Sequence, residues 1–553
     1  VHDSAVTGRV TTFTYAELLA EVERFAGALR SLGVGRGDRV VIYMPMVPEA
    51  AIAMLACARL GAVHSVVCGG FAPAELAARI DDAKPVVVVS ASCGVEGTRV
   101  VEYKPLLDEA LRLSSHEPAA SVILQRPQAA AAMGPRDVDW VDVTAAAEPA
   151  DAVAVQSTDP LYIIYTSGTT GKPKGIVRDN GGHAVAMAWS LPHVYGIGAG
   201  DVWWAASDVG WVVGHSYIVY APLIVGCTTL MYEGKPVGTP DAGAFWRVVE
   251  QHRVNALFCA PTAMRAIKKE DPEGTLMRGR DLSSLRTLFQ AGERLDPDTY
   301  HWASERLGIP VVDNWWQTET GWPMACNLRG LEPMPIKAGS PSVLVPGFDV
   351  CVLDEHGAEV PAGTEGNIAV RLPLPPGTLP TLWGDDQRFV ESYLSAFPGY
   401  YATGDGGYID EDGYLYVMGR TDDVINVAGH RLSTGSMEAV VATHPMVAEC
   451  AVIGVHDSLK GQVPRAFVVL KSGVEADPEV LQAEIVGMVR HQIGPVAAFH
   501  SVVVVPALPK TRSGKILRRT MRGIADGRDE PVPSTIEDAG VLDLLTPLLR
   551  GDS

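Results

Sequence analysis

Short runs rich in β-branched residues recur from Arg39 to Phe289, each followed by a longer stretch of helical character: Arg39–Ile42, Ser65–Val67, Pro85–Val89, Tyr162–Tyr165, Ala256–Phe258 and Leu285–Phe289. Apolar runs of this length, bounded by turn residues and alternating with helices, predict parallel-rich sheets covered on both faces, an α/β architecture. Ahead of the first run, Thr14 and Glu17 form a capping-box pattern. They open a helix with Leu18, Val22, Phe25, Leu29 and Leu32 on one face and Gly33 as its stop.

With 553 residues the chain is too long for one core; at roughly 150 residues per domain it predicts about three or four packed units. Near Arg420 the rhythm changes to strand, strand, helix, strand: Ala451–Ile453, Ala466–Leu470, a helix over Pro478–Gln492, then Ser501–Val505. The expected division is a large multi-subdomain unit, residues 1–420, and a small mobile α+β unit, residues 421–553. The Ala-, Pro- and Gly-rich stretch from Ala129 to Ala150 reads as a surface excursion.

A net charge of -20 excludes broad attraction to nucleic acid or to an anionic membrane, so anionic ligands must be held by local devices. The eight cysteines are scattered without a C-x-x-C pair, which predicts buried, reduced thiols and a cytoplasmic setting. No basic segment with an apolar core opens the chain, and its longest apolar stretch, Tyr217–Leu230, is broken by Pro222 and Gly226. No signal peptide or membrane span is therefore expected. Because the first residue is Val1, the natural N-terminus is expected to lie upstream.

Four segments carry chemistry. Residues 165–175 (YTSGTTGKPKG) follow an apolar strand and crowd hydroxyls, glycines and the ammonium groups of Lys172 and Lys174 into one turn, a cradle suited to polyphosphate. Pro173 after Lys172 breaks the G-x-x-x-x-G-K-[ST] pattern, which argues against an ordinary P-loop NTPase. Residues 313–321 (DNWWQTETG) follow the apolar strand Ile309–Val312, at the strand end where open α/β sheets present ligand groups. The third segment sets Asp405, in a Gly-Asp-Gly turn, ahead of Arg420 and its run Thr421–Asp423; a plain surface turn is the bland alternative. The fourth, residues 508–519 (LPKTRSGKILRR), is a basic loop in an acidic chain, for which a solvated charge run is the ordinary explanation.

In this order the four segments resemble the signature elements of the adenylate-forming superfamily: acyl-CoA synthetases, luciferases and peptide-synthetase adenylation domains. The resemblance runs from about Thr14 to the end and is closest to the acetyl-CoA and propionyl-CoA synthetase branch, to which residues 207–217 and 232–236 are also similar. It implies a nucleotide site formed by Thr166, Ser167, Gly168, Thr169, Thr170, Lys172, Lys174, Gly292, Glu293, Arg294 and the run Asp313, Asn314, Trp315, Trp316, Gln317, Thr318. Asp405 would accept from the ribose hydroxyls, Arg420 and Arg431 would reach the nucleotide, and Glu319 would hold Mg2+. Lys515 would bind the carboxylate and the α-phosphate, a task that suits a compact ammonium. Asp422 would be the hinge about which the small unit turns.

The same resemblance implies an acyl pocket of Val212, Val213, Ala291 and Trp316, with the Trp316 indole as a floor that limits the acid to a few carbons. Acetate-specific relatives tend to carry Val where Ala291 stands, which favours propionate over acetate here. Coenzyme A would meet Gly70, Arg99, Ala260, Ala428 and Arg490. A structural cation site maps onto Ala442, His444 and Val447. The chain departs from the pattern at Cys68, Arg294, Ala428 and Ser436, where relatives more often have Phe, Pro, Ser and Glu. The expected activity is ATP- and CoA-dependent propionate activation, with Lys515 open to control by a lysine acyltransferase and deacylase. The rival expectations are an acetate enzyme, an adenylation domain that loads a carrier protein, and a nucleotide-binding module without catalysis.

Overall fold

The computed structural model describes residues 1–166, 173–423, 425–427, 430–457, 461–511, 514–528, 530, 532–533 and 536–550, the side chains of residues 422, 426, 430, 431 and 496 aside. Thr14 caps the helix Tyr15–Ser31 with the expected reciprocal bonds to Glu17, satisfying N–H groups that a helix start leaves unpaired.

Two seven-stranded sheets form the large part of the fold. The first runs in the order Lys174–Asp179, Pro160–Thr166, Val63–Cys68, Arg39–Met44, Val87–Ala91, Ala120–Leu124, Asp137–Asp139. All its neighbours are parallel except the hairpin of Pro160–Thr166 with Lys174–Asp179. The second runs Thr228–Thr229, Val202–Ala206, Ala256–Cys259, Thr287–Ala291, Val311–Trp315, Ala325–Cys326, Val343–Leu344, and its first five strands are parallel. A four-stranded antiparallel sheet follows, Val350–Leu353, Gly366–Arg371, Tyr400–Ile409, Leu415–Arg420. Several of its buried residues, Ile368 and Tyr401 among them, join the core that lies against both larger sheets.

The stretch from Ala129 to Ala150 is more than a surface excursion. It supplies the edge strand Asp137–Asp139 and the helix Trp140–Ala145, and the Trp140 ring stacks on Phe25 at 3.7 Å between centroids. A three-residue edge strand with one aromatic anchor gives too short a period to stand out among alanines. Two strands sit slightly later than expected, Val87–Ala91 and Thr287–Ala291, because pairing continues to their C-terminal ends.

After residue 425 a mixed sheet carries Val447–Asp457 against Gly461–Leu470, with Ser501–Val504 parallel to the latter and the helix Pro478–Gln492 across it. Two further apolar clusters, one on Val440, Val468 and Ile485 and one on Phe467, Met521 and Leu545, are built from this segment alone. None of the eight cysteines is in a disulfide, and seven are buried. No helix among the described residues is long and apolar enough to cross a membrane.

Candidate active site

Three neighbouring parallel strands end side by side, at Cys259, Ala291 and Trp315, and the chain turns from each into one cleft of about 2080 Å³. Parallel strands place their C-terminal ends along one edge, which is why segments far apart in sequence meet here. Gly292 makes the turn after Ala291 at φ +105, a conformation that side chains rarely adopt. From the segment after residue 425 the cleft receives Thr434, Glu438, Lys510, Lys515 and Arg518.

Asp405 is the anchor of one wall. Its Oδ2 accepts from Trp315 Nε1 at 3.0 Å and from Gln317 Nε2 at 2.7 Å, while Arg420 Nη1 lies 3.3 Å from Oδ1. Arg420 also donates to the Thr403 carbonyl at 2.9 Å. Gly404 leaves it room: a Cβ there would stand 2.4 Å from Arg420 Nη2. Trp315 therefore has a polar task although its ring is buried. Glu319 lines the cleft beside Lys174, and Tyr393 donates its hydroxyl to Glu319 Oε1 at 2.8 Å. Burial lowers the Lys174 ammonium from its usual range, with Glu319 acting in the opposite sense.

Asp313 and Asn314 are buried. The Asp313 carboxylate accepts from Leu295 N at 3.3 Å and Asn314 N at 2.9 Å, yet burial dominates and pushes its pKa up to about 7. Glu293 pairs with Arg265 at 2.9 Å and accepts from Thr262. Arg294 reaches across the cleft, its Nη1 donating to the Gly435 carbonyl at 3.1 Å.

Val212, Val213, Ala291 and Trp316 all line the cleft, as do Phe258 and Cys259. The Trp316 ring packs edge-on to Tyr217 at 5.5 Å and lies 6.4 Å from Phe258 in a stacked orientation. Tyr217 is itself fixed, exchanging a hydrogen bond with Ser190 Oγ at 2.9 Å and accepting Trp203 Nε1 on its carbonyl at 2.6 Å. Trp316 is thus backed by two aromatic rings, Phe258 beside it in the cleft lining and Tyr217 behind it.

Lys515 is exposed and borders the same cleft. Its loop closes on Thr511, whose N–H donates to the Lys515 carbonyl at 2.8 Å and whose Oγ1 accepts from Lys515 N at 3.1 Å. The Gly514 carbonyl accepts from Thr262 Oγ1 at 3.2 Å, tying the loop to the helix Pro261–Glu270. Beside the loop, Arg518 makes a forked pair with Glu438, at 2.8 and 2.9 Å.

The remaining sequence candidates are less gathered. Thr166 ends its strand and lines the cleft, and Thr318 lines it too; Ser167, Gly168, Thr169, Thr170 and Lys172 lie outside the described residues, as does Ala428. Asp422 falls in the single turn Thr421–Asp423, and Arg431 in the strand His430–Leu432, side chains undescribed. Ala260 lines the cleft; Gly70 is buried next to the lining residues Gly69 and Phe71. Arg99 and Arg490 are exposed, Arg99 at 3.5 Å from Glu96, and neither lines the cleft. His444 accepts Met446 N on Nδ1 at 3.3 Å and meets Glu484 at 2.9 Å through Nε2, between the helix end at Ala442 and the strand start at Val447. Among the described residues no three His, Cys, Asp or Glu side chains gather around a point.

Arg178, which sequence reasoning passed over, is fully buried and donates to the carbonyls of Thr318 at 2.5 Å, Glu319 at 2.9 Å and Gly377 at 2.7 Å. It joins the strand after the glycine-rich loop to the Gln317–Glu319 segment.

A model of the AMP-binding enzyme family matches residues 2–377, and one of the AMP-binding enzyme C-terminal domain matches residues 436–515. The chain is 52% identical to the mitochondrial acyl-CoA synthetase short-chain family member 3 of Mus musculus, over 100% of this chain and 81% of that protein. It is 50% identical to the propionate–CoA ligase of Escherichia coli, over 98% of this chain and 87% of that one. The acetoacetyl-CoA synthetase from Streptomyces lividans shares its structure with a TM-score of 0.87 at 25% identity, covering 100% of this chain and 84% of the other. The chain belongs to the AMP-binding enzyme family and, within it, to the short-chain acyl-CoA synthetases, which are AMP-forming CoA ligases.

Proposed function

We propose that this AMP-forming ligase takes propionate, joining it to the α-phosphate of ATP and then to coenzyme A. The observation that carries the reading is the short acyl end of the cleft, closed by Trp316 on its rigid Tyr217 and Phe258 supports and widened by the small side chain of Ala291. The name of the E. coli relative points the same way.

In the first half-reaction Asp405, held by Trp315, Gln317 and Arg420, binds the ribose. Lys515 Nζ bridges the acid's carboxylate and the α-phosphate, offsetting charge as the carboxylate oxygen attacks phosphorus and pyrophosphate leaves. Glu319 fits a divalent cation, its carboxylate opening on the cleft beside Lys174 with Oε1 steadied by Tyr393. Magnesium held there would neutralise phosphate charge. In the second half-reaction residues 421–553 turn about Asp422 as one unit on residues 1–420, withdrawing Lys515. The coenzyme then enters past Gly70 and Ala260, with Arg99 and Arg490 available to its phosphates, and its thiol attacks the acyl carbon so that AMP departs. Acylation of the exposed Lys515 by a lysine acyltransferase would remove the charge on which the first step depends.

The test is pyrophosphate release with ATP, Mg2+ and CoA across acetate, propionate, butyrate and hexanoate. A maximum at propionate is expected; a maximum at acetate would overturn the pocket reading, and release with none of the acids would overturn the reaction.

A further inference from the structure

Tyr393, last residue of the helix Asp386–Tyr393, and Tyr401, in the strand Tyr400–Ile409, stack with centroids 5.6 Å apart and an interplanar angle of 18°. Both rings are buried, at 5% and 0% exposure. Their hydroxyls serve two different polar groups of the cleft. Tyr393 donates to Glu319 Oε1 at 2.8 Å, and its ring lies 4.4 Å beneath Lys174 Nζ, a cation–π distance. Tyr401 donates to Gln317 Oε1 at 2.8 Å, and the amide nitrogen of Gln317 then faces Asp405 Oδ2 at 2.7 Å and the Thr403 carbonyl at 2.8 Å.

The second bond selects one of two orientations. An amide can turn over, exchanging its oxygen and nitrogen, and the partners around it decide which way it points. With a hydroxyl donor on one side and a carboxylate and a carbonyl on the other, only the observed orientation satisfies Gln317.

We infer that Tyr393 and Tyr401 are a pair of positioning residues. Tyr393 sets Glu319 and Lys174 at the phosphate end, Tyr401 sets Gln317 and Asp405 at the ribose end, and their stacked rings hold the two ends in fixed relation. This inference rests on the proposed nucleotide site, and it predicts two separable defects.

The experiment is calorimetric titration of wild type, Tyr393→Phe and Tyr401→Phe with AMP in the absence of metal, and with ATP over a series of Mg2+ concentrations. Both substitutions keep the ring and the stack and remove one hydroxyl. For Tyr393→Phe the Mg2+ needed for half-maximal ATP affinity should rise about five-fold while AMP affinity holds, the size expected for one hydrogen bond. For Tyr401→Phe AMP affinity should fall about five-fold while the Mg2+ requirement holds. Two variants that match wild type, or that shift both quantities together, would overturn the inference with the nucleotide site intact. A wild type that binds neither nucleotide would overturn the site itself.

Discussion

At the residue scale, the proposed preference for propionate turns on the small side chain of Ala291. Ala291 is 5% exposed and lines the cleft, so in the proposed acyl pocket added carbons would displace substrate rather than water. Each buried CH2 is worth about 0.8 kcal/mol, about four-fold in binding. Ala291→Val should therefore shift the ratio of kcat/KM for propionate over acetate toward acetate by roughly four- to fifteen-fold, measured as pyrophosphate release with either acid. An unchanged ratio would place Ala291 outside the acyl pocket. Asp313 makes a prediction of another kind. Its pKa rises from 3.8 to about 7 on burial, so the folded state holds a proton that the unfolded state has lost between these values. Its contribution to stability is present below pH 3.8 and declines as pH climbs to 7. Asp313→Asn, which cannot ionise, should gain in Tm relative to wild type on going from pH 5 to pH 8. A Tm difference that stays constant with pH would show that Asp313 is ionised throughout.

At the scale of elements, the strand ends do the assembling, and the turns after them fix what faces the cleft. Gly404, at φ +70, and Gly413, at φ +83, carry similar backbone strain for any larger residue, but only Gly404 abuts Arg420. Alanine at either should cost about 1 kcal/mol of stability. Only Gly404→Ala should also raise KM for ATP, because it displaces Arg420 from Thr403 and Asp405; equal KM values in the two variants would contradict this. Much of this level was legible in the sequence. The helix Pro478–Gln492 and the Thr14 cap are where patterning put them, and Trp316, Asp405 and Lys515 share the expected cleft. Such features are local, written in a capping pair or a run of one period. Tyr393, Phe258 and Arg178 were not legible, because Glu319, Trp316 and the Thr318 carbonyl that they meet at the cleft are 74, 58 and 140 residues away. A buried arginine bonded to three carbonyls leaves no complementary charge in the sequence to reveal it.

On the scale of the whole molecule, one cleft is shared by segments that lie far apart in the chain. Thr262 bonds the Gly514 carbonyl and Arg294 the Gly435 carbonyl, so that Lys515 stands at the cleft that holds Asp405 and Glu319. Each tie is a single neutral or singly charged hydrogen bond, a modest contribution of about 0.5–3 kcal/mol that rotation can break and remake. In the proposed cycle Lys515 serves the first half-reaction alone and leaves before the second. The most direct test compares Lys515→Ala with wild type in both halves: propionate-dependent pyrophosphate release without CoA, and CoA-dependent consumption of supplied propionyl-AMP. The variant should lose the first by a hundred-fold or more, on the order of one electrostatic catalytic group, and keep the second within about two-fold; parallel loss of both would mean that Lys515 does not leave between the two steps.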